Sequence, residues 1–400
     1  MGSTGSLAPI FSFLKLTGSL ARIFSAMKSN CFLVQILSIM TWMRSRFSQA
    51  NETSIQEEVS LSPLLPDDLV IEILLHFPLE FLMDFKCLNK TWKELLLSPL
   101  FARNHYLSPS NTSQYFSICL SRMPDFMNRL TFLCNNGSQV VQRYSKFKID
   151  NLEGIECSQG MLCCLCQTND LDYTYFDYTF IIINPVTSIC TTISESLPNV
   201  NLFGFYLDPS SCDFKILAQT SKGWTEMGKY HIFDSRIGNW RIIKLHPSFE
   251  RKNPCLRMLS LNSKSYLTEE DDSLIVFDME NECWSQISLP PRECLCSLIA
   301  FGDSACFIGI TDDQKLVGWI LKKEDRGWEW EELINQHDHN LESWFYPVFF
   351  YDEDKLFLQN RVSLDIFIYH INQKQLEPVE GHRHRCKTYS LYKPTLFAMK

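Results

Sequence analysis

Three kinds of side-chain cluster in this chain have the types and spacing to do chemistry. The first is HRHRC, where His382, His384 and Cys386 stand at every second position. On an extended strand such residues share one face and resemble half of a zinc site. A structural zinc site pairs two half-sites, and no Cys-x-x-Cys knuckle accompanies this one. The reading is therefore a terminal strand or loop with no metal.

The second cluster is thiol. Cys157, Cys163, Cys164 and Cys166 lie close in sequence, and Cys294 and Cys296 form a smaller group. A zinc knuckle wants two intervening residues, and adjacent residues on a strand point to opposite faces. A nucleophilic thiol also needs an activating cation or histidine, which these runs do not supply locally. Buried strand cysteines fit the apolar runs better.

The third cluster is acidic: Glu269-Glu270-Asp271-Asp272 and Asp352-Glu353-Asp354. Paired glycosidase carboxylates need apolar surroundings that separate their pKa values. These runs look instead like solvated turns. No Gly-rich phosphate loop of the Walker or dinucleotide type is present. The sequence thus predicts no catalytic residue, no cofactor and no metal.

The elements behind these clusters are built from a chain of 400 residues, 45% hydrophobic and with 29 Phe. That is enough for two to three domains, or one large repeat fold plus an appendage. The net charge of −9 is uneven: residues 1–51 have no Asp or Glu and five basic residues, leaving −14 for residues 52–400. An acidic body lacks the clustered Lys and Arg that bind nucleic acid by counterion release. Sixteen cysteines in a long chain, mostly within apolar runs, fit a reducing compartment. The expected location is cytoplasmic or nuclear.

Residues 1–60 form an extension. TGSLAPIFSFLK at 4–15 returns as TGSLARIFSAMK at 17–28, identical at nine of twelve positions, with apolar residues at helical spacing. The run CFLVQILSIMTWM at 31–43 is shorter than the roughly 18–20 residues that span a bilayer. A transit peptide, a membrane-surface helix and a weakly ordered extension all remain open.

From Ser62 to Tyr106 the chain reads SPLLPDDLVIEILLHFPLEFLMDFKCLNKTWKELLLSPLFARNHY. Three short helices are predicted: one opening at Pro66-Asp67-Asp68 and running to about His76, one at about 80–88, and one at about 90–97 that Ser98-Pro99 stops. The first has almost no polar stripe, so it must be covered all round. Some forty residues cannot do that alone, and another protein should cover one side.

This segment, at 61–107, resembles the F-box. The elements are LPDDLVIEIL, then FP, then LMDFKCLNKTWKELL, then SPLF, in the family's order and spacing. The resemblance implies docking on a Skp-type adaptor and through it a cullin. It assigns docking or supporting roles to Leu65, Pro66, Leu69, Ile73, Leu74, Phe77, Pro78, Leu82, Phe85, Leu88 and Trp92.

Beyond Tyr106 short apolar runs alternate with turn residues, the pattern of strands. An aromatic-Asp pair, five residues and a Trp recur at Phe233-Asp234 to Trp240 and at Phe277-Asp278 to Trp284. The same frame finds Asn184 to Cys190, Lys322 to Trp328 and His370 to Leu376. The spacings of 50, 44, 44 and 48 suit four-stranded propeller blades, and counting back to RLTFLC near 129–134 gives about six.

The succession CSQGMLCC, INPVTS, FGFYLDPSSCDFKIL and the two FD-to-W repeats is similar to plant F-box-associated domains of kelch-like propeller character, here at 115–400. The expected architecture is α+β: a short three-helix F-box followed by an all-β propeller of about six blades. The resemblance implies a non-catalytic substrate receptor of an SCF ubiquitin ligase, which holds an unknown target protein for ubiquitination. A ligase-independent propeller scaffold, or a propeller hydrolase, is the alternative. Aromatic loops such as HDHNLESWFYP at 337–347 are candidate contacts.

Overall fold

An exposed carboxylate at the positive end of the helix dipole, Asp68, stands in the first turn of helix α1 (Asp67–Leu75). The computed structural model describes residues 67–77, 79, 82–83, 90–108, 116–122, 128–135, 140–149, 151–168, 176–220, 229–244, 257–268, 273–290, 296–324, 327–379, 386–392 and 395–397. Met1–Leu75 and His76–Lys400 are separate compact units. The duplicated N-terminal segment lies outside the described residues.

Helix α2 (Lys90–Leu96) agrees with the third expected helix. The helix expected at 80–88 falls largely outside the described residues, though Leu79, Leu82 and Met83 are helical. Ser98-Pro99 does more than stop α2, because it also starts α3 (Pro99–Leu107). The Ser98 hydroxyl accepts the Phe101 N–H at 3.3 Å, and a proline in the first turn loses no helical hydrogen bond. The inward face of α3 is Phe101, Ala102 and His105. His105 Nε2 lies 3.0 Å from the Phe77 carbonyl.

Among the described residues beyond α3, the strands form six antiparallel sheets. The first contains β1 (Phe116–Arg122), β2 (Asn128–Asn135) and β3 (Val140–Lys148). The second has β4 (Leu152–Ser158), β5 (Met161–Gln167), β6 (Asp177–Asn184) and β7 (Ile189–Thr192), with β8 (Leu197–Pro198) added against β6. The third is β9 (Val200–Leu207), β10 (Phe214–Thr220), β11 (Lys229–Asp234) and β12 (Asn239–Ile243). The fourth is β13 (Arg257–Leu261), β14 (Lys264–Thr268), β15 (Ser273–Asp278) and β16 (Cys283–Ser288). The fifth is β17 (Cys296–Phe301), β18 (Ser304–Ile310), β19 (Lys315–Glu324) and β20 (Gly327–His337). The sixth is β21 (Phe345–Phe350), β22 (Lys355–Asn360), β23 (Ile366–His370) and β24 (Gln375–Pro378).

The last strand, β25 (Cys386–Tyr392), returns to the first sheet and pairs with β1, from Phe116 against Tyr392 onward. β25, β4, β9, β13, β17 and β21 adjoin one another in turn and close a ring of innermost strands. These strands form an all-β propeller. Its middle strands are covered on both faces, so β10 is buried throughout and reads as the continuous run FKILAQT. Outer strands such as β12 are mostly exposed.

The recurring Asn or Asp is a turn device. The Asp278 carboxylate accepts the Glu280 and Asn281 N–H groups at 2.9 and 3.0 Å. Its carbonyl accepts the Glu282 N–H at 2.7 Å, and Glu282 is left-handed at φ 54. Asn184 with Ser188 and Asp234 with Gly238 repeat this geometry. So do Asp208 with Cys212 and Asn360 with Leu364, in hairpins outside the predicted series. A short acceptor side chain that mimics a backbone carbonyl suits this four-residue loop.

The recurring Trp is an inter-sheet wedge. Trp240 sits 5.4 Å from Phe233 of its own sheet and 5.3 Å from Phe180 of the preceding one. Trp284 is likewise 4.5 Å from Phe277 and 5.2 Å from Tyr230. Each indole N–H donates backward, Trp240 to the Glu195 carbonyl and Trp284 to the Lys244 carbonyl, both at 3.3 Å. In the fifth sheet the frame shifts, which corrects the expectation for Trp328. β19 and β20 run on to a terminal pair Glu324–Gly327, so Lys322 is not at a strand end. Trp330 becomes the wedge, donating to the Ser288 carbonyl at 2.7 Å. Trp328 instead lies under Lys264, whose Nζ is 4.5 Å from the ring centroid.

Candidate functional site

The adaptor-docking positions divide by burial. Leu74, Phe77 and Leu82 are buried within the chain itself, which gives them an internal packing role. Leu69, Ile73 and Trp92 lie in α1 and α2, and their side chains are outside the description. Leu65, Pro66, Pro78, Phe85 and Leu88 lie outside the described residues. Sequence reasoning stopped at Ser98-Pro99 and so missed the outward face of α3, where Leu100 and Leu107 are exposed seven residues apart.

Helix α3 is held to the propeller by the C-terminal tail. The Tyr106 ring lies 5.7 Å from that of Phe397. Asn184 Nδ2 donates to the Thr395 carbonyl at 3.1 Å and to the Phe397 carbonyl at 2.7 Å. Asn184, Thr395, Leu396 and Phe397 are all buried. One amide thus shapes its own turn through Oδ1 and pins a segment 213 residues away through Nδ2.

Of the three clusters that could do chemistry, the structure describes parts. Cys386 begins β25, while 382–385 and the acidic run 269–272 lie outside the described residues. Asp352 and Asp354 accept main-chain N–H groups: Asp352 from Asp354 and Lys355, and Asp354 from Asn372. Among the described residues no group of three or more His, Cys, Asp or Glu could hold a metal ion. Burial pushes the thiols of Cys163 and Cys164 well above the usual range and that of Cys157 up to about 12. None of the three is a thiolate nucleophile in this setting.

Glu156 lies beside them on the innermost strand β4, opposite Cys163. Burial alone pushes its carboxyl up to about 8. Its side chain is partly buried on β4, one of the innermost strands. Acid–base catalysis needs a second group pushed the other way, and the thiols beside this carboxyl are also held protonated.

A different surface stands where β21 begins. Trp344 is 46% exposed and Val362 84% exposed. The Arg361 N–H donates to the Trp344 carbonyl at 2.8 Å, which ties the two loops together. The Arg361 guanidinium lies 5.8 Å from the Tyr346 ring centroid, and the Tyr346 hydroxyl bonds Gln359 Oε1. Within the aromatic loop 337–347, then, Trp344 is an outward apolar group, whereas Phe345 and Pro347 are buried.

Comparison with known proteins bears on both ends. Residues 119–399 match the F-box associated beta propeller domain, and residues 63–104 match the F-box domain. An F-box/kelch-repeat protein of Arabidopsis thaliana is 23% identical over 301 residues, 68% of this chain and 79% of that one. Another is 23% identical over 254 residues, covering 57% and 58%. An F-box protein of the same plant is 22% identical over 250 residues, covering 57% and 60%. The chain spans between about half and two-thirds of the length of the first curated relatives it matches. A solved nidogen/laminin complex overlaps 70% of this chain and 98% of its own at TM-score 0.42 and 10% identity. The chain belongs to the F-box proteins that carry an F-box associated beta propeller domain.

Proposed function

We propose that this chain is the substrate-recognition subunit of an SCF (Skp–cullin–F-box) ubiquitin ligase. A three-helix F-box docks on a Skp-type adaptor, and a propeller in which each of the six sheets is one blade holds the target protein. The observation that carries this reading is the pairing in one chain of an F-box domain with a propeller of the F-box associated type. The tie between Tyr106 and Phe397 supports it, since a receptor must transmit the position of its target to the adaptor.

Such a subunit performs no bond chemistry. It raises the local concentration of a target lysine near a charged ubiquitin carrier and turns a bimolecular encounter into a local one. The raised Glu156 carboxyl is the one feature a hydrolase reading would use, and the protonated thiols around it argue for the receptor.

The test is co-purification of residues 52–400 with a Skp-type adaptor, beside a Leu69→Asp, Ile73→Asp variant. Stable binding by the parent and loss in a folded variant is the expected result. A folded parent that does not bind overturns the receptor reading and leaves a ligase-independent scaffold.

A further inference from the structure

We infer that Asn184 and Tyr106 line a peptide-binding site in which the chain's own residues 395–397 are seated as a releasable clasp on α3. The ligand class is a short apolar turn with a hydroxyl residue, an aliphatic residue and an aromatic residue in that order, and a segment of the same chemistry on another protein displaces it. The clasp rests on the receptor reading for its purpose, because α3 overlaps the end of the F-box match.

The site is built before it is filled. At the matching turns of the third and fourth sheets stand Asp234 and Asp278, whose ionised carboxylates only accept. Asn184 meets the same need through Oδ1, which accepts the Val186 and Thr187 N–H groups at 2.9 and 3.2 Å. Its own turn therefore fixes the direction of Nδ2, whatever lies in front of it. The two carbonyls that Nδ2 meets, of Thr395 and Phe397, stand two residues apart. A local bond turns the segment between them, the Phe397 N–H donating to Thr395 Oγ1 at 3.3 Å. Asn184 and residues 395–397 are buried, and the Phe397 ring meets Tyr106 of α3. Release uncovers these groups together and leaves a fixed donor beside apolar ground, which is how ligand sites are commonly lined.

The resident segment is the part that yields. Residues 395–397 belong to no strand, whereas β25 before them is paired with β1. Segments outside the ladders open at lower free energy than the strands beside them. A peptide from elsewhere competes with a tethered copy at high effective concentration. The parent thus holds the site shut, and weakening the tethered copy opens it.

The probe is a fluorescein-labelled peptide of residues 393–400, KPTLFAMK, measured by anisotropy against the full chain. A Leu396→Ser, Phe397→Ser chain should bind it at least about tenfold more tightly than the parent. Adding Asn184→Ala to that chain, or Phe397→Ser to the peptide, should each cost at least about tenfold. Amide exchange across 99–107 should quicken in the opened chain and slow again when the peptide saturates it. Equal peptide binding by parent and opened chain, binding indifferent to Asn184→Ala, or α3 exchange that stays at the parent's rate would each overturn the inference. If circular dichroism shows the double Ser chain unfolded, Phe397→Leu takes its place in the same comparisons. Adaptor co-purification separates the two readings. A parent that binds no adaptor while its opened form takes up peptide removes the receptor reading and leaves the clasp. A parent that binds adaptor while the opened form takes up no peptide removes the clasp alone.

Discussion

The indole N–H of Trp284 donates to the main-chain carbonyl of Lys244 at 3.3 Å, joining the first residues of one outer strand to the residue just past the end of the previous one. Trp240 and Trp330 make the equivalent bond. Trp284→Phe should lower stability by about 1–2 kcal/mol through the lost bond and smaller ring. The three indoles share no ring partner, so their effects should add. Urea unfolding of the triple Phe variant that matches the parent would remove the wedge account.

Asn184 separates into two functions by substitution. Asn184→Asp keeps an acceptor for the turn but sets a carboxylate against the Thr395 and Phe397 carbonyls. It should free the tail at a cost of about 2–3 kcal/mol. Carboxypeptidase should then trim the variant much faster than the parent, and equal trimming rates would show that other contacts hold residues 395–397.

Lys215 is 7% exposed and bonds the Met279 carbonyl at 2.7 Å and Glu282 Oε1 at 2.8 Å, between the third and fourth sheets. Glu282 also pairs with Arg241. Burial raises the Glu282 carboxyl, but hydrogen bonds from Arg241 and Lys215 outweigh it and hold it below its ordinary value. The hydrogen bond from Arg236 does the same for Asp234. Folded values below the unfolded ones mean that this stability is present above about pH 4 and is lost as pH falls through the folded values. Lys215→Met should cost about 2–4 kcal/mol at neutral pH. Glu282→Gln should flatten the acid limb of a stability–pH curve, and an unaltered limb would assign acid unfolding to other carboxylates.

Glu156 predicts the opposite slope. Its carboxyl is raised from 4.5 to about 8, so the unfolded chain ionises first and stability declines as pH climbs between those values. Glu156→Gln should therefore be more stable than the parent at pH 8–9 by about 1 kcal/mol or more, with the difference vanishing below about pH 4.5. Chemical denaturation at the two extremes checks this. A variant destabilised at high pH would mean that the carboxylate has a partner in the folded state.

Features legible in the sequence were those carried by neighbours along the chain. Phe277, Asp278 and Trp284 fall within one hairpin, so aromatic pairing and turn chemistry leave a local signature. Trp330 escaped because the longer β19–β20 hairpin shifts the register without changing the composition. The helix from Pro99 was hidden because proline reads equally as a stop and as a first turn. Lys215 in FKILAQT was a visible anomaly, a cation in an apolar run, but its hydrogen-bond partners lie 64 to 67 residues away. Trp344 was flagged with its whole loop, and only the fold separates the exposed indole from its buried neighbour Phe345.

The first sheet takes its innermost strand, β25, from the far end of the chain. During synthesis this strand leaves the ribosome after every other described strand, so the ring stays an open arc until it emerges. A chain cut before Cys386 would keep five of the described sheets and leave an unpaired edge on β1. The tail that fastens α3 would be missing from the same product. Closure by β25 thus makes the ring depend on the segment from Cys386 onward for its last neighbour contact.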